Sequence, residues 1–422
     1  MSRSHRPATY GTYVLVPHRW STGAGAANPR RHTTSWGTTV RRILLWVALP
    51  VSVLLVLGLG AGGWYYSDQL LPAPPPYVPV PEVTVTASDA EAGSVTLAAT
   101  DGDLGLFTVG LVSDSGLLLA NGESERDLDT TTRTTTLVDG EWPAVGDRVA
   151  TSVDTFFGDP ATTLGLPFDT ISVASDLGDL PGWRVVPRRA ETDETWVVII
   201  HGRGGGLSEG NRLLPVLDEL RLPSLTISLR NDPDAPADAN GYGFYGEREW
   251  LELEAAIEHL VEVEGAREVV LAGYSQGGSV ALSLLRRSDH ADRVSGAVLI
   301  SPLVSLGATL DLQARNRGIP EAVIPPLLTS TRWISTWRSG LDFSQVEHAD
   351  RVEELPRDVP ILITHGTADT TIPIEPSREL AALLGAQATY VEYPDTDHVR
   401  EWNSDPEAFE ADLRELLTTA LG

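Results

Sequence analysis

The segment Gly273-Tyr274-Ser275-Gln276-Gly277-Gly278 has the residue types and spacing of a nucleophile turn. An apolar run, EVVLAGYS at 268–275, enters it, and a helical stretch, SVALSLL, leaves it. A strand that turns sharply into a helix strains the backbone of its central serine and exposes the hydroxyl at the sheet edge. Gly273 and Gly277 flank the serine because side chains would collide in so tight a turn. A serine hydroxyl needs a base, and the base needs an orienting acid. In this arrangement the acid and then the base follow the serine. His348, His365 and His398 follow it by more than one element. His348 falls in a proline-containing interval, and His365 ends the run PILITHG, where it reads as a packing residue. His398, in YPDTDHVREW, follows the last apolar run, where a loop brings it over the sheet edge. Asp369, in HGTADTTIP, is the acid by position. Asp395 and Asp397 lie too near His398 in sequence to orient its ring easily, yet both stay open. Taken singly, Asp369 reads as a turn residue or helix cap and His398 as a surface loop histidine. In this order after an elbow, Ser275, Asp369 and His398 read as nucleophile, acid and base for acyl chemistry.

An acyl-transfer oxyanion needs two backbone donors. The amide of Gln276, directly after the serine, is one. The other is expected from HGRGGG at 201–206, where glycines let backbone approach a substrate, and the amide of Arg203 is the candidate. His201 reads as a brace of that loop. Arg230, Asp232 and Arg400 lie near predicted strand ends and read as members of loop ion pairs before they read as substrate contacts.

Composition removes competing chemistries. The 422 residues include no cysteine, and all 31 basic residues are arginines. Thiolate nucleophiles, thiolate metal sites, disulfides and Schiff-base lysines are therefore excluded. The sequence holds no HExxH, no histidine pair at ligand spacing and no dinucleotide loop, so neither metal nor organic cofactor is expected. A net charge of −27 argues against nucleic acid, which requires basic patches.

The elements that must position these residues are legible as apolar runs: 196–202, 224–230, 268–275, 296–301, 360–366 and 388–394. They are continuous, as in strands buried on both faces. Between them EREWLELEAAIEHLVEVEG places Trp250, Leu253, Ile257, Leu260 and Val261 on one helical face, with Gly265 as a stop. Alternating strands and helices predict an α/β fold, a mostly parallel sheet with helices on both faces, over 181–422. The interval of about 302–358 interrupts the rhythm and is a candidate lid. Its Trp333, Trp337, Leu327 and Leu328 suggest an apolar pocket wall, with core packing the plainer reading for the tryptophans.

The chain before 181 reads in four parts. Residues 1–42 form a basic, Ser/Thr/Gly-containing tail. Residues 43–66, ILLWVALPVSVLLVLGLGAGGWYY, are uncharged and long enough to cross a bilayer. Trp64, Tyr65 and Tyr66 sit at one interface, and Arg41 and Arg42 at the other predict a cytoplasmic amino terminus. A cleaved signal is the rival, disfavoured by the length of the run and its leader. Residues 67–81 hold the proline-rich PAPPPYVPVP, expected as an extended spacer. Residues 82–180 carry short β-branched runs and predict a small β-rich region that supports the next domain.

GYSQGG, HGTADTTIP and HGRGGG resemble the α/β-hydrolase superfamily, in particular its serine aminopeptidase-like and dienelactone hydrolase-like members and prolyl oligopeptidase-type catalytic domains. LRNDPDAP, EREWLELEAAI and HVREWNSDPEAFE resemble a bacterial membrane-anchored group. The resemblance covers about 181–421. It implies an eight-stranded sheet with Ser275 as nucleophile, Asp369 as acid and His398 as base. Relatives often carry small residues before the last histidine. Here Asp395 and Asp397 precede it, and their charge is expected to raise the His398 pKa.

The expected activity is that of a single-pass membrane serine hydrolase facing outward, acting on a small-molecule or peptide ester or amide. Acyl transfer to an envelope acceptor uses the same residues, and a non-catalytic binding module shares the fold. The acidic exterior reads as high-salt adaptation or simply as solubility and repulsion from anionic lipid. Sequence leaves the oligomeric state open.

Overall fold

The unbroken apolar runs become the centre of an eight-stranded sheet. The computed structural model describes residues 36–98, 107–187 and 194–421; the basic tail expected at 1–42 lies outside them up to position 35. The sheet strands are β7 (Phe168–Ser175), β8 (Gly178–Val185), β9 (Thr195–Ile200), β10 (Ser224–Ile227), β11 (Glu268–Tyr274), β12 (Val294–Ile300), β13 (Ile361–Gly366) and β14 (Ala388–Tyr393). They follow the six strands β1 (Val83–Asp89), β2 (Ser94–Ala98), β3 (Val109–Val112), β4 (Gly116–Arg126), β5 (Thr130–Gly140) and β6 (Arg148–Ser152). The sheet order is β14-β13-β12-β11-β9-β10-β8-β7. The six strands from β14 to β10 are parallel, and β8 is antiparallel to both its neighbours.

Every residue of β9, β10 and β13 is buried, as two-sided packing requires. Strand alternation divides them between two cores. Trp196, Val198 and Ile200 face one and Val197 and Ile199 the other. The helices are α1 (Trp36–Leu70), α2 (Pro160–Leu164), α3 (Leu214–Glu219), α4 (Trp250–His259), α5 (Gln276–Arg287), α6 (Leu306–Asn316), α7 (Ile324–Ser339), α8 (Glu375–Leu384), α9 (Glu401–Ser404) and α10 (Pro406–Ala420). The first core takes Leu253 of α4, Val280 of α5 and Leu380 of α8; the second takes Leu217 of α3 and Phe409 and Leu413 of α10. Helices thus cover both faces, which is the expected architecture. Gly265, at φ +77°, ends the helical stretch after α4.

One boundary differs from the sequence reading. The sheet begins at Phe168, ahead of 181, because the β7–β8 hairpin pairs with β10. Its short alternating strands look like those before it, and only that pairing assigns them. The preceding β-rich part is a closed barrel, β1-β2-β5-β4-β3-β6, filled by Val85, Val95, Leu97, Leu111 and Leu118.

Helix α1 contains a stretch, Trp46–Leu70, long and apolar enough to cross a membrane. The chain divides into residues 1–56 and 57–422. In the first unit Trp46, Leu49 and Leu54 are exposed. In the second, the last turns of α1 and the proline-rich segment are packed. Leu70 and Leu71 are buried beside Phe244, Tyr245 and Leu306. Ala73 N donates to Gly241 O and Gly243 N to Leu71 O. The segment expected as a spacer is therefore bound to the sheet-bearing part over its first residues, through backbone groups of Leu71 and Ala73.

Candidate active site

Strand β11 delivers Ser275 at the start of α5 with φ +51° and ψ −111°, a strained conformation for a residue with a Cβ. The strain is held by Ser275 N donating to Ile300 O and by Leu303 N donating to Ser275 O. A Cβ on Gly273 would overlap the backbone of Gly277, and one on Gly277 would overlap the Ile200 carbonyl. Both glycines are thus fixed by backbone proximity.

Three side chains from three strand ends meet here. His398 Nε2 lies 2.9 Å from Ser275 Oγ, and His398 Nδ1 lies 2.7 Å from Asp369 Oδ2. This places the donor hydrogen of Nδ1 on the carboxylate and leaves Nε2 to accept from the serine hydroxyl. Asp369 Oδ1 accepts from the amides of Thr371 and Ile372, so the residue is at once a turn residue and the histidine's partner. Asp397 instead accepts from Thr370 N and Oγ1, bracing the Asp369 loop, and Asp395 N donates to Thr367 Oγ1.

The loop after β9 passes close over the serine: a Cβ on Gly202 would sit 3.2 Å from Ser275 Cβ. Gly202 N donates to Glu209 Oε2, which takes that amide out of play and leaves Arg203 as the next along the loop. His201 pins the loop from below, with Nδ1 2.8 Å from Gly202 O and Nε2 2.6 Å from Asp232 Oδ2. Asp232 and Arg230 are ion-pair residues; Arg230 Nη2 meets buried Glu252 Oε1 at 2.6 Å. The Arg203 side chain turns away from Ser275. Its Nη2 donates to Leu70 O and Pro72 O, and its guanidinium lies 5.1 Å from the centre of the Tyr245 ring.

Residues 197–412 match the model of the family described as Alpha/beta hydrolase family. The chain belongs to that family. Among its relatives, this alpha/beta hydrolase is 26% identical over 234 residues to the uncharacterised protein YfhR of Salmonella typhi, covering 54% of this chain and 72% of that one. It is also similar to the esterase Pf2001 of Pyrococcus furiosus, with a TM-score of 0.49, 19% identity, and coverage of 63% of this chain and 95% of that. Est1E of Butyrivibrio proteoclasticus, solved with ferulic acid bound, gives a TM-score of 0.44 at 17% identity, covering 60% and 99%.

In this alpha/beta hydrolase, electrostatics prepare His398 to hold a proton. Burial opposes its charge, but the hydrogen bond and charge of Asp369 outweigh that, aided by Glu401 and Glu209, and the pKa is raised. The added negative charge thus comes from Glu401 and Glu209, where Asp395 and Asp397 were expected. Asp369 itself is buried, which disfavours its charge, but hydrogen bonds from His365 and His398 hold its carboxyl well below the usual range. Burial likewise opposes charge on His201, and the Asp232 carboxylate pushes it up to about 9. Sequence reasoning missed His365 as a second partner of Asp369, at 3.1 Å, and Glu401, which accepts from Ser301 Oγ at 2.6 Å. The four-residue interval from His365 to Asp369 was the available signal. His348 lies outside the site, buried against Ser279 Oγ at 2.7 Å.

Proposed function

We propose that this alpha/beta hydrolase is a membrane-anchored serine hydrolase cleaving an ester or amide through an acyl-enzyme. The observation that carries the reading is the hydrogen-bonded series Ser275–His398–Asp369 on a strained elbow. Ser275 Oγ attacks the acyl carbon as His398 Nε2 takes its proton. The resulting oxyanion is held by the amides of Gln276 and Arg203. The intermediate collapses, His398 returns the proton to the leaving alcohol or amine, and the acyl group stays on Ser275. Water then attacks by the same route, with His398 again base and then acid. Asp369 keeps the ring oriented and stabilises the imidazolium.

The anchor in this reading is α1, with Arg41 and Arg42 on the cytoplasmic side and the catalytic part outside the cytoplasm. The substrate is a small-molecule or peptide acyl compound, and the acidic exterior is no partner for nucleic acid.

The test is labelling of the full chain in detergent micelles with a fluorophosphonate, beside Ser275→Ala, together with hydrolysis of p-nitrophenyl acetate. Labelling and turnover by the wild type alone are expected. A folded wild type that does neither overturns the enzyme reading in favour of a binding module on the same fold. Labelling with turnover only when an alcohol or amine acceptor is supplied would replace hydrolysis by acyl transfer.

A further inference from the structure

The lid and the end of the anchor are one packed body. Ser330 Oγ of α7 donates to Leu59 O of α1, and Ser335 Oγ donates to Ser67 Oγ. A Cβ on Gly63 would overlap the Ser330 side chain, so α7 side chains pack directly on the α1 backbone. Arg338 of α7 reaches Asp68 at 2.7 Å and lies 4.6 Å from the centre of the Trp64 ring. These α1 residues belong to the stretch able to cross a bilayer. Helix α7 therefore runs beside the final turns of that stretch.

Its outward face matches that position. Trp333 is 72% exposed and Trp337 69%, although both were expected in a core or pocket wall. Trp337 lies 6.3 Å from Trp64, centre to centre. Large exposed indoles grouped beside the end of an apolar helix fit the headgroup layer of a bilayer, where amphipathic rings settle.

Behind this face is a cavity of about 190 Å³ between α1, α6 and α7. Tyr66 and Leu70 of α1 form one wall, and Leu310, Ala314, Leu327 and Leu328 of the lid form the others. Arg203 and Tyr245 close it on the side of the oxyanion loop. Arg203 also borders the small cleft that contains Gly202 and Gln276. The cavity thus lies between the bilayer side of the lid and the loop over Ser275.

We infer that this cavity receives the acyl chain of a membrane lipid ester entering from the bilayer, with the chain's own anchor helix as one wall. The inference rests on the reading of Ser275 as nucleophile and α1 as anchor, and it narrows the substrate class to acyl esters resident in the membrane. Gln69, Gln313 and Arg317 also line the cavity, but its surface is mostly apolar, and with the anchor as a wall it favours a ligand already in the plane of the anchor.

Two measurements test it on the full chain in phosphatidylcholine nanodiscs. In the first, Ser275→Ala is irradiated with a diazirine-bearing fatty acid and the labelled peptides are mapped. Label in Leu306–Asn316, lost on adding Leu310→Trp or Leu328→Trp, is expected. Label elsewhere only, or label that survives both substitutions, overturns the inference. In the second, the ratio of kcat/KM for p-nitrophenyl decanoate over acetate is measured. It is expected to exceed ten in the wild type and to fall at least tenfold in a cavity-filling variant. A ratio near one, or one that neither variant changes, overturns the acyl site while leaving the serine hydrolase reading in place. A chain that cleaves neither ester and takes no fluorophosphonate fails as a serine hydrolase, and the acyl-ester inference falls with it. Cross-linking would then show only whether the cavity holds a lipid.

Discussion

At the scale of single residues, the proposed role of His398 as base ties the working pH to the charges around it. A base must be deprotonated, so activity falls as pH drops through the histidine's pKa. Asp369, Glu401 and Glu209 raise that pKa above the ordinary 6.5. The acid limb of the kcat/KM profile is therefore expected above pH 6.5. Glu401→Gln removes one of those charges, keeps an acceptor for Ser301, and is expected to move the limb to lower pH with the alkaline side unchanged. A limb that does not move would show that Glu401 acts only through packing. His365→Ala takes away the second histidine partner of Asp369, leaving His398 and the two loop amides. Loss of a buried charge-assisted partner of this kind costs about 2–3 kcal/mol, readable as lower thermal stability.

At the scale of elements, two loops depend on contacts made far along the chain. The loop after β9, proposed to supply an oxyanion donor, is pinned by His201 to Asp232 of the loop after β10. With its pKa raised from 6.5 to about 9, the His201 imidazolium contributes stability that is full below 6.5 and is lost as pH rises through about 9. Melting temperature and kcat are expected to fall together across that alkaline window. Asp232→Asn should abolish this alkaline step and lower kcat more than it changes KM, since the loop positions donors that matter in the transition state. The segment from Leu70 to Ala73 is the second case. Leu71 is fully buried, and the carbonyls of Leu70 and Pro72 hold the Arg203 side chain. Leu71→Ala is expected to cost about 2–5 kcal/mol by leaving a cavity, and urea unfolding would measure it.

At the scale of the whole molecule, the barrel and the catalytic sheet share one seam. Asn403 Nδ2 donates to Thr108 O, Val153 O and Thr155 Oγ1, and its Oδ1 accepts from Arg212. The seam lies a few residues past His398, so the barrel contacts the helix that follows it. The charge of the molecule is as uneven as its architecture: past residue 66 it carries 24 arginines against 58 acids. Self-repulsion of that size predicts a melting temperature that rises from low to molar salt. A flat response would leave solubility as the reason for the acidic surface.

The strained turn at Ser275, the meeting of Asp369 and His398 with it, and the central strands were legible in the sequence. Each rests on a local constraint. Glycines are required where backbones approach, apolar runs where both faces are covered, and the polar residue lies just past a strand end. Sequence spacing alone could not show that Glu401 joins the site through Ser301, that the proline segment binds across the loop after β9, or that Trp333 and Trp337 face outward. Those facts depend on contacts between residues tens to hundreds of positions apart. Chain proximity carries no record of such contacts, and only packing the barrel, lid and end of α1 against the sheet decides them.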